Sequence, residues 1–446
     1  MNRTRVLSAA ALLALAATVT SVPITTEAAQ AAQAAQAASR SDGFRVVDGR
    51  LVDATGKDFV LRGVNHAHTW YADRTGQSLA DIKALGANSV RVVLSTGARW
   101  TKNGAADVAD VVARCKANRL VCVLEAHDTT GYGEQDGAAS LSEAVDYWLE
   151  VASALKWQEK YVIVNLGNEP HGNTGYTAWT QDTKDAVGRL RAAGLDHTLM
   201  VDAPNWGQDW SGTMRANAPA VFAADPDRNT VFSIHMYGVY DTAAEVEEYL
   251  GSFVDRGLPV VVGEFGHDHS DGNPDEDAIM ATARRLDVGY LGWSWSGNGG
   301  GVEYLDLATG FDAGRLTAWG ERLFHGPDGI RQTSREAGVY RRGCSIAYRL
   351  DDWGTGFNAD ITVRNTGEQP LKGWKLDFDL PAGTTLNSAW NASVTQDGRQ
   401  VRAVSESWTA DVPAGRAVSF GINVAGPGHG AVPASFSLDG APCAKG

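Results

Sequence analysis

Tyr161-Val-Ile-Val-Asn-Leu-Gly-Asn-Glu-Pro170 and Leu258-Pro-Val-Val-Val-Gly-Glu-Phe-Gly266 carry the pattern that decides the fold. Each is an apolar, β-branched run that ends in a carboxylate, Glu169 in the first and Glu264 in the second. A run that stays apolar at successive positions suits a strand buried on both faces, as in a parallel sheet covered by helices. Working outward, similar runs recur at 59–66, 87–94, 120–127, 198–206, 231–238 and 290–297, which brings the count to eight. Helix-like stretches such as 140–155 and 182–193 lie between them. Eight strand-plus-helix units predict an α/β fold, a (β/α)₈ TIM barrel. A doubly wound open sheet is the alternative. No Gly-x-Gly-x-x-Gly follows the first run, which weighs against a dinucleotide-binding sheet.

Active sites in such barrels sit at the C-terminal strand ends. Here those ends carry His66 and His68, Arg91, His127, Asn168 and Glu169, Trp206, His235 and Tyr237, Glu264, and then Trp293 and Trp295. Strands four and seven face each other across a closed eight-strand mouth. Glu169 and Glu264 can therefore approach to the roughly 5–5.5 Å needed for double-displacement hydrolysis of a glycoside. Taken singly, either acid is equally well a solvated strand end or a salt-bridge partner. Arg91, His235 and Tyr237 are placed to donate to Glu264, which predicts a lowered pKa and a nucleophile. Glu169 is expected in a drier site, with a raised pKa, as acid and then base. Asn168 is placed for the sugar 2-hydroxyl. Trp293 offers a flat floor for the sugar, its alternative being barrel core. His68, Trp70 and Tyr71 read as a sugar-contacting lip. His66-x-His68 also suits a metal-dependent amidohydrolase, but strand five supplies no histidine and strand eight no closing aspartate.

The ordered set Arg91, His127, Asn168-Glu169-Pro170, His235-Met236-Tyr237, Glu264-Phe265-Gly266 and Trp293 resembles glycoside hydrolase family 5 over roughly residues 43–324. Within it, Gly63-Val64-Asn65-His66, Glu125-Ala126-His127-Asp128 and the run Trp293-Ser294-Trp295-Ser296-Gly297-Asn298 look like the bacterial β-mannanase branch. The resemblance implies a retaining endo-hydrolase of β-1,4-mannan, galactomannan and glucomannan. An endo-β-1,4-glucanase of the same family is the competing reading, because spacing does not separate mannose from glucose. A carbohydrate-binding protein with an inactive barrel is a third.

After residue 325 the pattern changes. Residues 326–343 read as a polar linker, and 344–446 as a β-sandwich of alternating strands with Gly, Pro and Asn turns. Trp374, Leu376, Phe378 and Leu380 share one strand face and are expected to be core. Trp353, Trp390 and Trp408 stand among Asp, Gly, Asn, Ser and Thr, outside any apolar alternation. Three exposed indoles would form a stripe able to stack on successive sugars. The module resembles family 2 carbohydrate-binding modules through Cys344, Trp353-Gly354-Thr355-Gly356-Phe357, Asn365-Thr366-Gly367, Gly373-Trp374, Ala389-Trp390-Asn391, Phe420-Gly421 and Cys443. That resemblance implies attachment to a cellulose surface, or to chitin, through the three tryptophans.

The 446-residue chain has a formal net charge of -14, which disfavours nucleic acid and is compatible with a neutral polymer. Arg3, Arg5 and the short apolar run at 6–18, followed by Ala-Gln repeats, read as a signal peptide and leader over 1–40. A secreted monomer with no membrane anchor is expected. Four cysteines in an exported chain favour disulfides. Cys344 and Cys443 bracket the module, while Cys115 and Cys122 are read either as a local disulfide or as two buried thiols. No cofactor is expected for catalysis. The acidic loop with Asp268, Asp271, Asp275, Glu276 and Asp277 is a candidate for structural Ca²⁺, although Glu276 and Asp277 would equally open a helix.

Overall fold

A computed structural model describes residues 43–340, 343–367, 370–426 and 432–446. The signal peptide and leader expected over 1–40 lie outside the described residues.

All eight expected runs form strands: β3 Arg62–His66, β4 Ser89–Leu94, β5 Val121–Ala126, β6 Val162–Asn165, β7 Leu199–Asp202, β8 Thr230–Met236, β9 Val260–Phe265 and β10 Gly289–Gly292. An antiparallel hairpin, β1 Arg45–Val47 with β2 Arg50–Val52, precedes them. The eight pair in parallel and in chain order, and β10 closes onto β3, so the TIM barrel is complete. Helices α1 Thr75–Ala84, α2 Ala105–Ala117, α3 Leu141–Glu150, α4 Ala152–Leu155, α5 Trp179–Ala192, α6 Thr213–Ala224, α7 Ala243–Val254, α8 Glu276–Arg285 and α9 Ala318–His325 surround it. Local chemistry starts several of them. Ser140 with Glu143, and Thr242 with Glu245, form reciprocal capping boxes at α3 and α7.

Each barrel strand has two buried faces, which is why the sequence shows runs rather than alternation. One face packs on the helices through residues such as Val90, Val92, Leu124, Val164 and Val262. The other fills the barrel interior with Val121, Val123, Ile163, Met200, Val231 and Val261.

Residues 326–340 are not a linker. They form α10, Ile330–Thr333, and pack on the barrel: Ile330 and Ala337 are buried, Glu336 pairs with Lys83 at 3.0 Å, and Gly338 N donates to Asp53 Oδ2. A few scattered apolar residues in a polar stretch have no period, so the sequence hid this packing. Cys115 and Cys122 are free buried thiols with their sulfurs 2.8 Å apart, so the local disulfide is not formed here.

The C-terminal module has two five-stranded sheets. One runs Thr385–Trp390, Ala417–Ala425, Gly356–Asn365, Cys344–Asp352 and Ala444–Lys445; the other runs Ala392–Asp397, Gln400–Ser405, Lys375–Asp379, Phe436–Leu438 and Ala441–Pro442. Trp374, Leu376, Phe378 and Leu380 lie in the shared core, and the Cys344–Cys443 disulfide joins the module's two ends.

Candidate active site

The strand bodies end in a connected polar cluster at the C-terminal mouth of the barrel. Arg91, from the middle of β4, is fully buried and is the hub. Its Nη1 donates to Glu264 Oε1 at 2.7 Å and to Asn65 Oδ1 at 2.9 Å. Its Nη2 donates to Asn168 Oδ1 at 2.7 Å and to Asp202 Oδ2 at 3.0 Å, and its Nε donates to Asn165 Oδ1 at 2.7 Å. Every arm of the guanidinium is therefore engaged, which fixes it as a rigid fork. Burial alone would lower its pKa, but Glu125, Asp202 and Glu264 push it up.

Glu264, at the end of β9, receives a second bond from the Tyr237 hydroxyl at 3.1 Å. Glu169, just beyond β6, is held at φ 41°, a left-handed conformation that non-glycine residues seldom adopt. Its Oε1 lies 2.8 Å from His235 Nδ1. One oxygen of each glutamate and one nitrogen of His235 all fall within 4.8 Å of one another. The two acids thus share one cleft, and oxygens this close fit a retaining pair better than an inverting one.

Three expectations about this pair need correction. His235 was expected to donate to Glu264, yet its Nδ1 is 3.6 Å from Glu264 and bonds Glu169 instead. Glu264 was expected below the ordinary carboxylate range. Burial is the largest influence and, with Glu169 nearby, raises it, although His235 and Arg91 pull the other way. Glu169 is not the drier acid either, being 9% exposed against 4% for Glu264. The residue that sequence reasoning missed is Asp202. It is fully buried, 3.0 Å from Arg91 and 3.3 Å from His235 Nε2. Despite burial, Arg91 and His235 hold Asp202 down to about 2. Burial would lower His235, but Glu264, Asp202 and the bonds to Asp202 and Glu169 raise it to about 10.

Glu169, His235 and Glu264 are also the one group of three metal-capable side chains that converges among the described residues. The donor set does not suit a metal: His235 is held protonated and Glu264 already receives Arg91, whereas a ligand needs a free lone pair. Asp271, Asp275 and Asp277 of the loop 268–277 have protein partners, and Glu276 and Asp277 open α8. Asp275 caps α8 through Ala278 N at 2.8 Å, Asp277 pairs with Arg322 at 2.6 Å, and Asp271 accepts from Gln208 at 2.7 Å. Glu276, half-buried, is pushed up by burial and by Asp277 and Asp275.

An aromatic wall lines one side of the cleft. His127 stacks on Trp293 at 5.7 Å and 16°, and meets Trp100 at 5.6 Å and Trp70 at 5.3 Å. Trp70 is 39% exposed beside this wall, whereas His68, expected with it on the lip, is not exposed. It is 2% exposed, with Nδ1 2.7 Å from Thr75 Oγ1 and Nε2 3.2 Å from Asp107. Beside it, His66 bonds the same Thr75 hydroxyl and is kept neutral, its pKa lowered by burial and by His68 to about 3. On the other side of Glu169, Trp206 donates to Glu134 at 2.9 Å and lines a separate cavity.

In the module, Trp353, Trp390 and Trp408 are 52%, 40% and 70% exposed, as expected. Two glycines seat two of the rings. A Cβ on Gly421 would fall 1.9 Å from Trp390, and one on Gly356 would fall 2.8 Å from Trp353.

Comparison with known proteins agrees with this geometry. Residues 52–299 match the cellulase family, glycosyl hydrolase family 5, and residues 344–443 match the cellulose binding domain family. A mannan endo-1,4-beta-mannosidase of Streptomyces lividans is 68% identical over 302 residues, which is 68% of this chain and 78% of that protein. The mannotriose complex of Thermomonospora fusca beta-mannanase superposes with a TM-score of 0.65 at 60% identity, covering 67% of this chain and 99% of that one. Exoglucanase B of Cellulomonas fimi is 40% identical over 100 residues, which is 22% of this chain and 9% of that protein. With a family match over more than half its length and an opposed glutamate pair in one cleft, the chain belongs to glycosyl hydrolase family 5.

Proposed function

We propose that the chain is a secreted, monomeric endo-β-1,4-mannanase that hydrolyses mannan, galactomannan and glucomannan with retention, and that its C-terminal module anchors it to cellulose. The observation that carries the chemistry is the approach of Glu169 and Glu264 within one cleft. Glu264, oriented by Arg91 and Tyr237, attacks the anomeric carbon while Glu169 protonates the departing oxygen. Glu169 then takes a proton from water, whose oxygen releases the sugar from Glu264. Arg91 holds Asn168 as well as Glu264, so one cation aligns the nucleophile and the side chain suited to the 2-hydroxyl.

The 68% identical mannosidase supports mannan as substrate. Reducing-sugar release from galactomannan compared with carboxymethylcellulose tests it. Release from galactomannan should dominate, and the reverse ratio makes the chain an endoglucanase. Three exposed indoles and the cellulose-binding match support anchoring. Deleting residues 344–446 should abolish pull-down on cellulose and spare hydrolysis of soluble galactomannan.

Export is supported by the basic and apolar character of residues 3–18, and among the described residues no helix is long and apolar enough to cross a membrane. No metal enters the reaction. A structural Ca²⁺ at Asp275, Glu276 and Asp277 is supported by the run of acids alone, since Asp275 caps α8 and Asp277 pairs with Arg322. Chelation should then lower the melting temperature and leave turnover at 25 °C unaltered; an unchanged melting temperature removes the ion from the account.

A further inference from the structure

We propose that His269 binds the sugar on the leaving-group side of the cleavage point, in a cavity that it lines together with Trp206 and Trp210. The proposal rests on the mannanase reading above and extends it to a second half of the cleft.

The geometry divides the cleft at Glu169. Trp293, His127, Trp100 and Trp70 form one continuous aromatic wall. A separate cavity of about 260 Å³ starts at Glu169, and its lining includes Trp206, Trp210, Tyr237, His269 and Asp271, but none of that wall. If Trp293 floors the sugar attacked by Glu264, the cavity beyond the proton donor receives the sugar that departs.

His269 is built into this cavity, not left loose on its surface. Its ring stacks on Tyr237 with centroids 4.4 Å apart. Its Nδ1 bonds Asp271, whose carboxylate also accepts from Gln208 Nε2 at 2.7 Å and from Gly238 N at 3.2 Å. Asp271 thus clasps the loops after β7, β8 and β9 together. With Nδ1 committed to Asp271, Nε2 is the remaining polar atom of a side chain that is 26% exposed and lines the cavity. A fixed N–H donor sharing one cavity with an exposed indole is a sugar-binding arrangement: the indole covers a CH face and the donor reads a hydroxyl. Trp210, 53% exposed with its Nε1 tied to Asn173 at 2.6 Å, supplies that indole.

An aryl β-mannobioside has no leaving-group sugar, so it reports the glycone half alone. Mannotriose added to the same reaction occupies the leaving-group side and is read by the ratio of transfer product to hydrolysis product. In His269→Gln the half-saturating mannotriose concentration should rise at least tenfold, while kcat/KM on the aryl substrate falls less than threefold. Trp210→Ala, at an exposed edge that leaves the core intact, should behave alike. A purely structural role would lower both readouts together. Unchanged acceptor saturation in both variants overturns the proposal. If the wild type cleaves the aryl cellobioside and not the mannobioside, the substrate reading fails instead. The same ratio measured with cellotriose then decides the role of His269.

Discussion

Removing the Glu264 carboxylate leaves Arg91 and Tyr237 in place around a hole that a small anion can enter. Glu264→Ala should lose about 10⁴-fold or more in kcat, and azide should restore part of it as the α-mannosyl azide. Glu169→Ala with an activated aryl substrate should instead give the β-azide, because the covalent intermediate still forms and azide replaces the second displacement. Product anomers read by NMR check both roles, and exchanged anomers would reverse the assignment. His235 belongs to this scale too. It carries a positive charge close to Glu264 and pulls that raised carboxyl back down. His235→Asn should therefore move the acidic limb of kcat/KM to higher pH. A limb that stays in place would mean that His235 does not set the charge on Glu264. The pair itself was legible in the sequence, because a carboxylate at the end of an apolar run is conspicuous. The direction of its polarisation was not. Whether donors or burial prevail at Glu264 depends on how much water reaches it, and no residue order encodes that.

Elements place these residues through anchors that sequence periodicity does not register. Three helix tryptophans donate to carbonyls at the strand ends: Trp148 to Leu166 at 2.8 Å, Trp179 to Asp202 at 2.8 Å and Trp319 to Trp293 at 2.9 Å. Each is fully or almost fully buried and pegs a loop that carries active-site residues. Helical spacing predicts such tryptophans as core, and they are, but their polar edge holds the mouth in shape. Trp148→Phe would leave the Leu166 carbonyl buried and unpaired, which should cost about 1–3 kcal/mol. Thermal unfolding read alongside kcat tests this: stability should drop and kcat with it, since Leu166 lies three residues before Glu169. The strands were legible because both faces are apolar. The segment 326–340 was not, because its contacts fall on isolated residues. His68 misled for a related reason. A histidine at a strand end looks available until Thr75, from the first turn of α1, and Asp107, from α2, close around it. In the module, the seats of Trp353 and Trp390 show the same dependence on a partner strand. Gly421→Val should tilt Trp390 and weaken cellulose binding about fivefold, the loss of about 1 kcal/mol of stacking.

Taken as a whole, the barrel buries charge of both signs, and that makes its stability a function of pH on two sides. His235, raised to about 10 from an ordinary 6.5, contributes stability that is full below 6.5 and is lost as pH rises through 10. Asp202, lowered to about 2, contributes stability that is present above its ordinary 3.8 and is lost as pH falls toward 2. His66 and His197, lowered to about 3 and about 4, remain neutral in the fold, so the unfolded chain binds their protons first as pH drops below 6.5. The melting temperature should therefore peak near pH 6.5, decline as pH falls below that, and decline as pH rises from about 7 toward 10. The acid side has separable parts. His197 has no hydrogen-bond partner for either ring nitrogen among the described residues and lies away from the cleft, so His197→Phe should flatten the decline between pH 6 and 4 while leaving kcat intact. The alkaline side belongs to the cluster around His235, and His235→Asn should remove it together with most of the activity. If instead the melting temperature of the wild type is flat from pH 4 to 10, the buried cations and anions that organise the cleft are not coupled to folding, and the electrostatic account of the active site would need a different origin.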